Sequence, residues 1–196
     1  MMRRALLFGG LLLMATALGL AAYNMADGMR AAREAERVLL ELSARMDESP
    51  DGESFLELSG SGLLSTEVDG NEYIGVLEIP ALGRRLPVAG EWSYAALKTA
   101  PCRYTGTASG GDLIVAAHNY PAHFGGVGKL VTGDRVTFTD LSGVRYDYQV
   151  VTTEQLSGTD VNKMQSGDWA LTLFTCTIGG KARVTVRCAR VEDGES

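Results

Sequence analysis

From Ala5 to Tyr23 the chain runs through 19 residues without a charge, directly behind Arg3 and Arg4. That length is close to the ~20 residues a helix needs to cross the hydrocarbon core. The pattern predicts a transmembrane helix over 5–23. Residues 1–4 form a cytoplasmic tail and the C-terminus lies outside, because basic flanks stay in the cytoplasm. A cleaved signal peptide is the rival reading, and Ala15-Thr16-Ala17 has the small-x-small form of a cleavage site. Cleavage there leaves an apolar region shorter than the run itself, which favours an uncleaved anchor.

The next pattern is helical. Asp27 to Met46 is rich in Ala, Glu, Arg, Leu and Met, all good helix formers. Met25, Met29, Val38, Leu42 and Met46 fall roughly at helical spacing, and Glu41 can pair with Arg45 at i,i+4. Asp47 to Gly52 is a stop and turn, and 53–70 is polar with three glycines. The segment 24–70 therefore reads as a juxtamembrane helix over 27–46, a simple solvated stalk, followed by a flexible acidic spacer over 47–70.

Beyond residue 70 the period changes from helix to strand. Tyr73–Ile79, Arg84–Val88, Asp112–Ala117, Arg135–Thr139, Leu171–Cys176 and Ala182–Cys188 are predicted strands. Tyr146, Tyr148 and Val150 alternate as a half-buried strand does. Trp92–Lys98 and Asp160–Gln165 read as short helical turns. Seven or eight short strands with little helix point to a barrel or sandwich over 71–191, with 192–196 as a tail.

Charge changes the picture only near the membrane. Residues 1–23 carry +2, residues 24–70 carry −7 and residues 71–196 carry −1, which together make the net −6. No segment has the basic face that nucleic acid demands, so no nucleic-acid partner is expected. No Walker loop or dinucleotide fingerprint is present, and no close Cys-x₂₋₄-Cys pair or His-Glu-x-x-His offers a zinc site. No cofactor and no metal are expected.

The chemistry concentrates in few residues. The two histidines are His118, at the C-terminal end of the Leu113–Ala117 strand, and His123, in the Pro121–Gly128 loop, where it reads as surface or groove lining. The three cysteines are Cys102, Cys176 and Cys188. Cys176 ends one strand and Arg183 opens another seven residues on. Alternation puts Arg183, Thr185 and Arg187 on one face, with Val184, Val186 and Cys188 turned to the core. A thiol, an imidazole and a guanidinium form a coherent acyl-transfer set. The thiolate attacks a peptide carbonyl, the imidazolium protonates the departing amine, and the arginine holds substrate or oxyanion. An odd cysteine count outside the cell leaves one thiol unpaired, and Cys102 with Cys188 is the pairing that frees Cys176. The opposing reading is that both are packing residues that never meet.

Thr172-Leu173-Phe174-Thr175-Cys176 resembles the Thr-Leu-x-Thr-Cys signature of sortases. A strand ending in His118 stands 58 residues upstream of the cysteine, and Arg183 opens the valine-rich strand that follows. The resemblance covers roughly 71–191. It implies a closed eight-stranded β-barrel with short helices, behind a membrane anchor and stalk. It also implies a membrane-anchored cysteine transpeptidase acting outside a Gram-positive-type cell. Such enzymes cleave a Leu-Pro-x-Thr-Gly-like sorting signal of secreted proteins between Thr and Gly. They hold the protein as a thioester and pass it to a cell-wall precursor or another amine. By this resemblance Cys176 is the nucleophile, His118 the general acid and then base, and Arg183 the oxyanion residue. Thr175 and Asn119 are expected to help bind substrate. The pilin-polymerising type carries Thr-Cys-Thr-Pro-Tyr-Gly, where this chain has Thr177-Ile178-Gly179-Gly180. It also shows no lid motif in 47–70 and no second apolar span, so a wall-anchoring type is expected. A tethered β module that binds a partner without catalysis is the alternative.

Overall fold

The computed structural model describes residues 2–48, 57–58 and 63–191. Met1, the expected tail at 192–196 and half of the expected spacer lie outside the described residues.

A single helix, α1 (Met2–Glu48), fuses the expected span and the expected stalk. Its 47 residues extend ~70 Å at 1.5 Å each, and its first half is apolar and long enough to cross a bilayer. Its second half is not a solvated stalk. Ala31, Ala35, Val38 and Leu42, at helical spacing along one stripe, are all buried. Arg37 on the polar side meets Glu34 and Asp69, and Arg45 meets Glu41 and Thr66.

The strands are β1 (Glu57–Leu58), β2 (Leu64–Val68), β3 (Asn71–Ile79), β4 (Arg84–Ala89), β5 (Cys102–Thr105), β6 (Leu113–Ala117), β7 (Arg135–Asp140), β8 (Arg145–Ser157), β9 (Leu171–Cys176) and β10 (Ala182–Arg190). Eight of them close a barrel in the order β3-β4-β5-β6-β9-β10-β8-β7, sealed by β7 against β3. β2 prolongs the sheet from the first residues of β3 and carries β1. Part of the segment read as flexible spacer is thus strand. Gly75 makes the seal possible, because a Cβ there would collide with the Thr139 carbonyl and the Phe138 ring. Two short helices, α2 (Ala96–Thr99) and α3 (Val161–Gln165), lie where helical turns were expected.

Strand alternation sorts the apolar residues into two cores. Leu113, Val115 and Ala117 of β6, Leu171 and Leu173 of β9, and Val186 and Cys188 of β10 fill the barrel. Ile114 and Ala116 of β6 and Phe174 of β9 point the other way. They meet Val38 and Leu42 of α1, Leu97 of α2 and Met164 of α3. β6 is therefore covered on both faces, the physical reason for its unbroken Leu-Ile-Val-Ala-Ala run.

Two expectations fail here. Cys102 and Cys188 are free, buried in separate cores. They sit on β5 and β10, three strands apart, ~14 Å at the usual strand spacing. A disulfide needs Cα atoms within roughly 7 Å. Burial pushes both thiols up to about 12, which keeps them protonated. His123 is neither surface nor groove lining: it is fully buried. Neither ring nitrogen has a hydrogen-bond partner among the described residues, although backbone groups of Ala31 and Thr99 face it. Burial pushes its imidazole down to about 4.

Candidate active site

Three strand ends build the site. β6 and β9 run parallel with Ala117 beside Thr175, so His118 follows on one side of Cys176. β9 and β10 run antiparallel with Arg183 directly opposite Cys176, so the guanidinium stands on the other side. The alternation that turns Val115 and Leu173 into the barrel turns His118, Cys176 and Arg183 to its outer face. Residues 118, 176 and 183 are thereby brought together as the sequence led one to expect.

Each member is held by its own strand end. The Thr175 hydroxyl donates to the Ala117 carbonyl at 2.8 Å and is buried. It locks β6 to β9 one residue below the imidazole and the thiol. This hydroxyl is committed to backbone, so Thr175 contributes alignment rather than a free donor. The β9–β10 connection is tight: Gly180 N–H donates to Thr177 O at 2.8 Å, with Gly179 and Gly180 both left-handed. The Arg183 Nη1 donates to the carbonyls of Gly180 and Ala182 at 3.0 and 3.3 Å. Its Nε and Nη2 make no hydrogen bond among the described residues, and Arg183 lines the groove.

Arg187, on the same face two steps of alternation further on, is a different case. It is 2% exposed. It donates to Glu154 at 2.9 Å, to the Thr172 hydroxyl at 3.1 Å and to the carbonyls of Lys163 and Met164 at 2.6 Å each. Every guanidinium nitrogen is engaged: Nη1 and Nη2 tie α3 to the barrel wall, and Nε joins β10 to β8.

A groove of about 400 Å³ runs over Cys176. Ala116 and Phe174 form its floor, Trp92, Tyr104 and Leu97 one wall, and Leu156 and Met164 the other. Trp92, Tyr104 and Phe174 stack edge to face, with centroids 6.3 and 5.4 Å apart along the chain of rings. Such a trough suits an extended peptide with apolar side chains and one polar end at the thiol.

His118 is half buried, and burial holds its imidazole below the ordinary histidine range. Asp27 opposes that shift and Lys98 adds to it. Tyr120 lies against the imidazole at 5.0 Å between centroids, and its hydroxyl donates to the Asp27 carboxylate at 2.6 Å. Sequence reasoning missed both. Tyr120 carried a weak signal, two residues past His118. Asp27 carried none, being 93 residues from Tyr120 on a helix read as a stalk. Asn119 does not line this groove. It lines a second one, with Tyr120 and α1.

A family model described as a sortase domain matches residues 77–191. No curated protein matches. Among solved structures, sortase C1 from Streptococcus agalactiae is 28% identical, with a TM-score of 0.56 over 65% of this chain and 72% of that one. A sortase D5 transpeptidase from Clostridium perfringens is 23% identical, with a TM-score of 0.55 over 64% of this chain and 83% of that one. A pilus-related sortase C of Group B Streptococcus is 21% identical, with a TM-score of 0.57 over 85% and 96%.

Proposed function

The chain belongs to the sortase family of cysteine transpeptidases, and from that premise we propose that it cleaves a Leu-Pro-x-Thr-Gly-like sorting signal and transfers the protein to a cell-wall amine. The observation that carries this reading is the strand register, with His118 beside Cys176 on one flank and Arg183 opposite it on the other.

The steps follow from the side chains. The Cys176 thiolate attacks the threonyl carbonyl, and a C–S bond replaces the C–N bond. His118, whose burial disfavours a standing imidazolium, takes the thiol proton as the sulfur attacks and gives it to the departing glycyl amine. The charge that grows on the carbonyl oxygen meets the guanidinium of Arg183, which stands opposite Cys176. The acceptor amine then attacks the thioester carbon, the thiolate leaves, and the neutral imidazole takes the amine proton. The aromatic and aliphatic trough supports binding of the Leu-Pro part.

The apolar half of α1 supports a single-pass anchor with the barrel outside the membrane. Secreted proteins bearing the signal would be presented at that surface. A second reading, joining pilin subunits, draws on the shared fold with the pilus-related sortase C of Group B Streptococcus. Thr177-Ile178-Gly179-Gly180, where the pilin-joining type has Thr-Pro-Tyr-Gly, speaks against it.

The test is a library of signal peptides offered with several amines to the full chain in nanodiscs. The expected product is an amide joining the threonyl carbonyl to one acceptor. Binding without any cleavage across the library supports the non-catalytic module instead.

A further inference from the structure

The thioester reaction has an amine side as well as an acyl side. The leaving amine takes a proton from His118 and the incoming amine returns one, so both must occupy the same place beside that imidazole. The aromatic trough accounts for the acyl chain. A second groove, of about 820 Å³, shares none of its lining residues. It begins one residue further along the same two strands, at Asn119 after His118 and at Thr177 after Cys176. Its far wall is α1 from Asn24 to Ala32, the first turns beyond the expected span.

Two properties of this groove select a ligand. Asp27 is the only carboxylate among the residues that line it, and no Lys, Arg or His lines it. One Asp27 oxygen accepts from the Tyr120 hydroxyl at 2.6 Å, and the other has no hydrogen bond among the described residues. Around this single charge stand apolar side chains turned to solvent: Met25 is 66% exposed, Met29 47% and Ile178 96%. An ammonium suits the carboxylate, and a run of methylenes suits the methionines and the isoleucine.

We propose that this groove is the acceptor subsite, and that it takes a primary amine carried on an aliphatic stem, of lysine side-chain type, with Asp27 as its counter-ion. The proposal rests on the transpeptidase reading above. The bound ammonium first gives one proton to water. Its nitrogen then attacks the thioester carbonyl, the C–N bond forms and the C–S bond breaks. The sulfur keeps the bonding pair as thiolate, and the second proton passes to His118. The anchoring helix thus supplies part of the site, which a barrel cut free of α1 lacks.

Two arms test this in the full chain in nanodiscs. The first needs no chemistry: Nα-blocked lysine amide is titrated into Cys176→Ala and the backbone amides of Asn119 and Ile178 are followed by NMR. Saturable shifts there, weakened about tenfold by Asp27→Asn, support the subsite. Absence of shifts, or shifts indifferent to Asp27, overturns it. The second arm offers the thioester a choice between the lysine side chain and triglycine. The expected result is transfer to lysine, with Asp27→Asn raising the KM for lysine more than it slows thioester formation, and Met29→Ser doing the same to a smaller degree. Preference for triglycine, or equal slowing of both steps by Asp27→Asn, overturns the proposal, the latter because Asp27 then acts through Tyr120 on His118. Lysine binding without any thioester leaves the groove standing and removes the transpeptidase reading.

Discussion

Two regions of this molecule hold the same three residue types, arginine, histidine and cysteine: the rim where β6, β9 and β10 end and the packed interior behind it. The rim holds Arg183, His118 and Cys176, all partly exposed; the interior holds Arg187, His123, Cys102 and Cys188, all buried. The interior group is spent or silenced. Arg187 has each nitrogen engaged, His123 is held neutral by burial, and the two thiols are held protonated. The rim group keeps free valence. What separates a reactive residue from a structural one here is position along a strand, since Arg183 and Arg187 share strand and face.

The sharpest way to break this contrast is to exchange the roles of the arginines. Arg187→Met removes the donors that hold the α3 carbonyls and parts a buried cation from Glu154. It should cost about 3 kcal/mol in a urea titration. Arg183→Met should cost far less, because its guanidinium is half exposed. Activity should reverse the order. Arg183→Lys keeps charge but loses the planar fork, and kcat/KM should fall about 10²-fold, or ~2.7 kcal/mol of transition-state stabilisation, with the urea midpoint unchanged. If Arg187→Met abolishes turnover in a protein that melts normally, the wrong arginine has been placed on the oxyanion.

The histidines sharpen it through pH. His123 has a folded value of about 4 against 6.5 when exposed. Between those values the unfolded chain binds a proton that the folded chain refuses, so stability is full above pH 6.5 and drains as pH falls toward 4. Going from pH 7.5 to 5 should remove about 2 kcal/mol. His123→Leu should flatten that acid limb. An unchanged limb in this variant would show that the ring is not held neutral. His118, with burial and Lys98 against protonation and Asp27 for it, should titrate below the ordinary range by NMR.

The strand pattern was readable where one or both faces are apolar: β3, β4, β6, β9 and β10 lie within a few residues of their expected bounds. It was silent where pairing is carried by backbone alone. The second half of β8, Val151 to Ser157, is largely exposed and polar, yet it pairs with β10 from Ala182 to Arg187. β5 has four residues and meets β4 at one position, Ala89 with Cys102. The rim triad was readable because each member stands at a strand end beside a turn. The docking of α1 was not, because half of its buried stripe, Ala31 and Ala35, is of small residues that a solvated helix also uses. Asp27 followed it out of sight.

The contrast between rim and interior comes down to which sulfur carries the acyl group. The direct measurement is an intact-mass and peptide-mapping experiment on the full chain, quenched in acid during turnover of the best library peptide. The account predicts one adduct of the mass of the signal up to its threonine, mapped to Cys176 and absent in Cys176→Ala, with Cys102 and Cys188 unmodified. An adduct on either buried cysteine, or undiminished turnover in Cys176→Ala, contradicts it.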